Sequence, residues 1–89
     1  MNASRDEILA RLRTIFGESF EIESARVTPD ARLREDLDLD SIDAIDLAVR
    51  LEEETALKLD DDELRGVRRV ADVVELVHAK LAGRQARAS

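Results

Sequence analysis

Apolar residues recur along the chain in blocks with helical spacing. Ile8, Leu9, Leu12, Ile15 and Phe16 form the first block. Ser4-Arg5-Asp6-Glu7 precedes it as a capping-box pattern, and Gly17 is the natural stop. A second block runs from Ser41 to about Thr55, and a short third helix is predicted over Asp61 to Arg65, ended by Gly66. The fourth places Val70, Val73, Val74, Val77 and Leu81 on one stripe and closes at Gly83. The long connection from Glu18 to Asp40 contains Pro29, and Phe20, Ile22, Val27, Leu33, Leu37 and Leu39 can pin it to the core. The pattern predicts an all-α fold, a small four-helix bundle of three longer helices and one short one. Residues 1–83 form the expected domain, and 84–89 a polar tail that frays.

The second helix has two apolar stripes. At about 100° per residue, Ala44, Leu47, Ala48 and Leu51 share the face suited to a core. Ile42, Ile45 and Val49 cluster elsewhere, beside Ser41. Asp46 and Glu53 border this second stripe on one side and Glu52 on the other. A bundle helix needs only one buried stripe. The alternative is a central helix that buries both, but acids along a buried face would be desolvated. The rim of acids therefore favours an exposed docking strip.

Composition narrows the partners. The chain has 89 residues, 44% hydrophobic and 39% charged, enough for one folded domain with a modest core. Its net charge is -7, so nucleic acid and anionic membranes, which need a basic face, are poor partners, whereas basic protein surfaces suit it. There is no cysteine, hence no disulfide framework and no thiolate metal site. No signal peptide or spanning apolar run is present, so the cytoplasm is the expected location. A monomer is the expected state, with the second apolar strip able to support weak self-association.

Five acids surround Ser41 between Asp36 and Leu47. Asp36, Asp38 and Asp40 match the first ligands of a calcium-binding EF-hand loop, but Ser41 stands where glycine is needed and Leu47 where the bidentate glutamate belongs. A nucleophilic serine would need a nearby base and oxyanion donors. The single histidine, His78, lies on the last helix and reads as a surface or boundary residue, and no Gly-x-Ser-x-Gly turn surrounds Ser41. No metal site and no catalytic residue are therefore assigned. Asp40 or Ser41 can cap the second helix, with Asp43 in its first turn. A phosphate ester on Ser41 would lie at the positive end of the helix dipole. The arrangement suits a hydroxyl presented for modification.

These residues resemble the acyl carrier proteins. Glu35-Asp36-Leu37 followed by Asp40-Ser41-Ile42-Asp43 is similar to that family's phosphopantetheine attachment motif, and Leu51-Glu52-Glu53-Glu54 to its acidic second-helix ending. The resemblance implies an acyl-carrier-like fold. It implies that a phosphopantetheinyl transferase, with magnesium, attaches 4′-phosphopantetheine from coenzyme A to Ser41 beside Asp40. Acyl intermediates would then ride as thioesters and could shelter between the helices. The transferase, a ketosynthase and other acyl-processing enzymes would dock through basic patches on Ile42, Asp43, Ile45, Asp46, Val49, Glu52 and Glu53. The chain would be a carrier and not an enzyme, and its start at Met1 suggests a dissociated bacterial-type pathway making fatty acids, polyketides or aryl polyenes. A peptidyl carrier, or an unmodified acidic helical adaptor for a basic partner, is the alternative. The family often has glycine where this chain has Asp38, which leaves the path of that loop open. Arg65, Arg68 and Arg69 form a basic spot near the third helix, read first as partners of Asp61 and Asp62.

Overall fold

Ser4 opens the first helix, and the reason is local. Its hydroxyl accepts the Glu7 N–H at 3.2 Å and donates to the Glu7 carboxylate at 3.3 Å. The computed structural model describes the backbone of residues 4–88, and the side chains of these except residues 61 and 84–88. Four helices follow in order: α1 (Arg5–Phe20), α2 (Ser41–Thr55), α3 (Asp61–Arg65) and α4 (Val70–Ala88). One 3₁₀ turn, Ser24–Arg26, interrupts the long connection, and no strand occurs among the described residues. The all-α bundle expected from periodicity is the fold observed.

Two expected helix ends are corrected. Gly17 does not stop α1, which continues to Phe20. The stop is Glu21, in the left-handed region at φ 55°, where its N–H and that of Ile22 both turn back to the Phe16 carbonyl. Gly83 does not close α4, which runs on to Ala88. A glycine inside a helix costs only about 1 kcal/mol, and the alanines, arginines and glutamine after it favour helix. Tail side chains, like that of Asp61, lie outside the described residues.

The core is entirely apolar among the described residues. Leu12 and Phe16 from α1, Val27 from the connection and Val70 from α4 are all fully buried. The expected pins of the long loop behave as such. Ile22, Val27, Leu37 and Leu39 are buried and Leu33 packs against the core at its edge; Phe20 does so too, but as the last residue of α1 and not as part of the loop.

Backbone chemistry also holds this loop in place. The first amides of α4 have no intrahelical partner, and the loop supplies one. Val70 N–H donates to the Ala31 carbonyl and Ala71 N–H to that of Pro29, each at 3.0 Å. Leu33 N–H donates to the Arg68 carbonyl at 2.9 Å, beside an isolated antiparallel bridge between Arg32 and Arg69. The Asp72 carboxylate accepts the N–H groups of Arg68 and Arg69, both at 3.0 Å, which holds its pKa below the usual carboxylate range. The loop that leads to Ser41 is therefore stapled to the start of α4.

Candidate functional site

The site begins at the α2 N-terminus. Asp40 is the cap: its carboxylate accepts the Asp43 N–H at 2.9 Å, and the Asp43 carboxylate accepts the Asp40 N–H at 3.1 Å. This reciprocal box satisfies donors that the helix leaves open. It also decides the role of Ser41, which is the first helical residue and not the cap. Its side chain is exposed and, among the described residues, its hydroxyl has no hydrogen-bond partner. The helix thus presents the hydroxyl without using it.

Asp38 occupies a backbone position that glycine would favour. Its φ is 56°, in the left-handed region, where aspartate is better tolerated than most residues. The buried Leu37 and Leu39 flank it, so this left-handed residue lies between two anchors of the loop. Asp36 has a separate task. Its carboxylate accepts the Arg32 N–H at 2.7 Å and lies near the Arg32 guanidinium, so its pKa is lowered, chiefly by the backbone bond. Asp36 and Asp40 therefore spend their carboxylates on the backbone. Among the described residues, no group of three or more His, Asp or Glu is placed to hold a metal ion.

Along α2 the two stripes separate as expected. Leu47, Ala48 and Leu51 are buried and Ala44 is half-buried. Ile42, Ile45 and Val49 are exposed to 70%, 59% and 46%. A helix that buries both faces is therefore not what the chain makes. The acids sort by what they touch. Asp46 and Glu53 have no hydrogen-bond or ion-pair partner among the described residues. Glu52 is half-buried, and its carboxylate accepts the Leu59 N–H at 2.8 Å, which fixes the exit from α2. Sequence spacing could not reveal that engagement, because the partner lies beyond the helix end.

A cleft of about 520 Å³ starts at Ser41. Leu33, Leu39, Ala44, Leu47 and Val67 give it an apolar floor. A smaller one of about 280 Å³ opens at the other end, lined by Ile8, Leu51, Val77 and Leu81 among others. An accessible primary hydroxyl beside a partly apolar cleft fits a slender prosthetic arm esterified to that oxygen.

The geometry defines a small helical domain with an accessible hydroxyl at the start of α2 and an exposed apolar strip beside it. Residues 10–77 match the family model described as the phosphopantetheine attachment site. Acyl carrier protein 2 of Ralstonia nicotianae is 54% identical over 76 residues, covering 85% of this chain and 94% of that protein. The meromycolate extension acyl carrier protein of Mycolicibacterium aurum is 40% identical over 77 residues, covering 86% of this chain and 79% of that protein. The crystal structure of an acyl carrier protein from Thermotoga maritima superposes with a TM-score of 0.81 at 33% identity, covering 89% and 92% of the two chains. The chain belongs to the acyl carrier protein family. It is a carrier and not an enzyme, it works with acyl-processing enzymes, and its prosthetic group is 4′-phosphopantetheine. No helix among the described residues is long and apolar enough to cross a membrane.

Proposed function

We propose that Ser41 is the residue that carries the arm, and that this chain is a free-standing cytoplasmic carrier in a fatty-acid, polyketide or aryl-polyene-type pathway. The observation that supports it best is the unpartnered Ser41 hydroxyl on the first residue of α2, next to the exposed strip. A phosphopantetheinyl transferase would transfer 4′-phosphopantetheine from coenzyme A to the Ser41 oxygen. When bound, that group supplies a terminal thiol, which a chain without cysteine lacks. The protein's own residues position and advertise it. The Asp40–Asp43 box holds the first turn of α2, so the Ser41 oxygen points from a fixed place.

Ile42, Ile45 and Val49 supply the apolar contact for the transferase, a ketosynthase and other enzymes of the pathway. Asp46 and Glu53 supply free charge for their basic patches. Asp43 and Glu52 add field but are already engaged within the chain. Such a small, acid-rimmed strip suits fast, short-lived encounters. The apolar clefts support shelter for part of the cargo. Similarity to carriers named for meromycolate extension supports a specialised pathway, and similarity to carriers named simply acyl carrier protein supports a general one.

The test uses the whole protein with coenzyme A, magnesium and a broad-specificity transferase, followed by an acyl donor and its loading enzyme. Intact mass should rise by one phosphopantetheine and then by one acyl group. A folded protein that gains no mass would leave the unmodified adaptor as the better reading, and loading by amino acids alone would favour a peptidyl carrier.

A further inference from the structure

Five arginines line the cleft that begins at Ser41: Arg32, Arg34, Arg65, Arg68 and Arg69. In a chain of net charge -7, this concentration of positive charge has no explanation in the docking strip, which lies on another face of α2. The staple between the loop and the start of α4 brings the two arginine runs together. Leu33 N–H reaches the Arg68 carbonyl, and Arg32 bridges Arg69.

Local partners account for only some of this charge. Arg32 Nε lies 3.4 Å from both Glu35 and Asp36. Arg69 donates to the Asp30 carbonyl at 3.1 Å. Arg65 meets Asp62 only at 3.7 Å, with both side chains at least 80% exposed, so that pair is weak. The guanidinium groups of Arg34 and Arg68 make no hydrogen bond or ion pair among the described residues, and Arg68 feels only the longer-range charge of Asp72. The cleft's two acids, Glu35 and Asp40, are already paired with Arg32 and used in the helix cap. Positive charge gathered in a partly enclosed cleft favours an anion there. Guanidinium is also the side chain best matched to phosphate and carboxylate oxygens.

We propose that Arg34 and Arg68 form a seat for an anionic oxygen group tethered to Ser41, with Arg65 free to join. This rests on Ser41 being the attachment residue. Two sources share the chemistry: the phosphodiester of the arm, and a carboxylate on an acidic acyl cargo folded back into the cleft. The seat would hold the arm against the α3 side of Ser41 and leave the apolar α2 strip clear for visiting enzymes.

The test is NMR of arginine Nε–Hε signals in ¹⁵N-labelled protein, assigned with R34Q and R68Q. Four forms are compared: unmodified, arm-bearing, butyryl-loaded and succinyl-loaded, each verified by mass. Shifts of both signals on adding the arm assign the phosphodiester as occupant. Shifts that appear with succinyl and not with butyryl assign the cargo carboxylate. Either result supports the seat. Signals unmoved in all loaded forms overturn it, and the arginines then serve an acidic surface of a partner protein. Failure to gain the arm at all overturns the attachment reading and the seat with it, which the mass distinguishes from failure of the seat alone.

Discussion

Asp38 shows how much a single backbone angle can carry. It sits at φ 56° between two buried leucines, so its side chain matters less than its ability to adopt the left-handed region. Asp38→Gly should therefore keep the fold and raise stability by up to about 1 kcal/mol, while Asp38→Val should lower it by about 1–2 kcal/mol. Urea midpoints at constant slope would check both, and an unchanged Asp38→Val protein would refute the assignment. The sequence showed that a residue other than glycine stood in the loop, but not whether the loop had changed its path. Conformation answers that question, and Asp is one of the few residues for which both outcomes are open.

At the scale of the element, α2 divides its work by face and by end. Truncation of a buried residue and substitution of an exposed one should therefore differ sharply. Leu47→Ala removes buried methyl groups and should cost about 2–5 kcal/mol. Ile45→Asp lies on the exposed strip and should change stability by about 0.5 kcal/mol or less. The same Ile45→Asp should slow transfer of the arm by about ten-fold, near 1.4 kcal/mol in the transition state. Thermal unfolding and transfer rates would separate the two effects. A destabilised Ile45→Asp protein would mean that the strip is packed after all.

Helical periodicity made both stripes legible, because apolar positions at fixed angles carry the signal directly. It placed Ser41 at the helix start for the same reason. Helix ends were less legible. The left-handed stops Glu21 and Ala56 are not glycines, and of the three glycines that looked like stops Gly66 ends α3 while Gly17 and Gly83 sit inside helices. The Glu52–Leu59 bond and the meeting of Arg32 and Arg34 with Arg65, Arg68 and Arg69 depend on how distant segments fold back, and no local spacing encodes that.

Over the whole molecule, charge is uneven in purpose. Asp36, Glu63, Asp72 and Glu75 have pKa values lowered by bonds to Arg32, Lys80, the Arg68 and Arg69 amides, and Arg5. Groups with lowered folded pKa bind fewer protons when folded than unfolded. The stability they contribute is complete above the ordinary carboxylate range and is lost as pH falls through their lowered values. The chain as a whole carries a net charge of -7, so its remaining acids repel one another, and acid relieves that repulsion. Stability should thus hold or rise from pH 7 to about 5 and fall below about pH 4. Chemical denaturation across this range would show the turn, and continued stabilisation down to pH 3 would contradict it.

The proposed attachment of the arm to Ser41 can be tested on one peptide. Trypsin cuts after Arg34 and Arg50, and the fragment Glu35–Arg50 contains Ser41 as its only hydroxyl side chain. After incubation with coenzyme A and transferase, this fragment alone should gain one phosphopantetheine, and the Ser41→Ala protein should fold and gain none. A gain on any other fragment, or an undiminished gain in Ser41→Ala, would contradict the assignment.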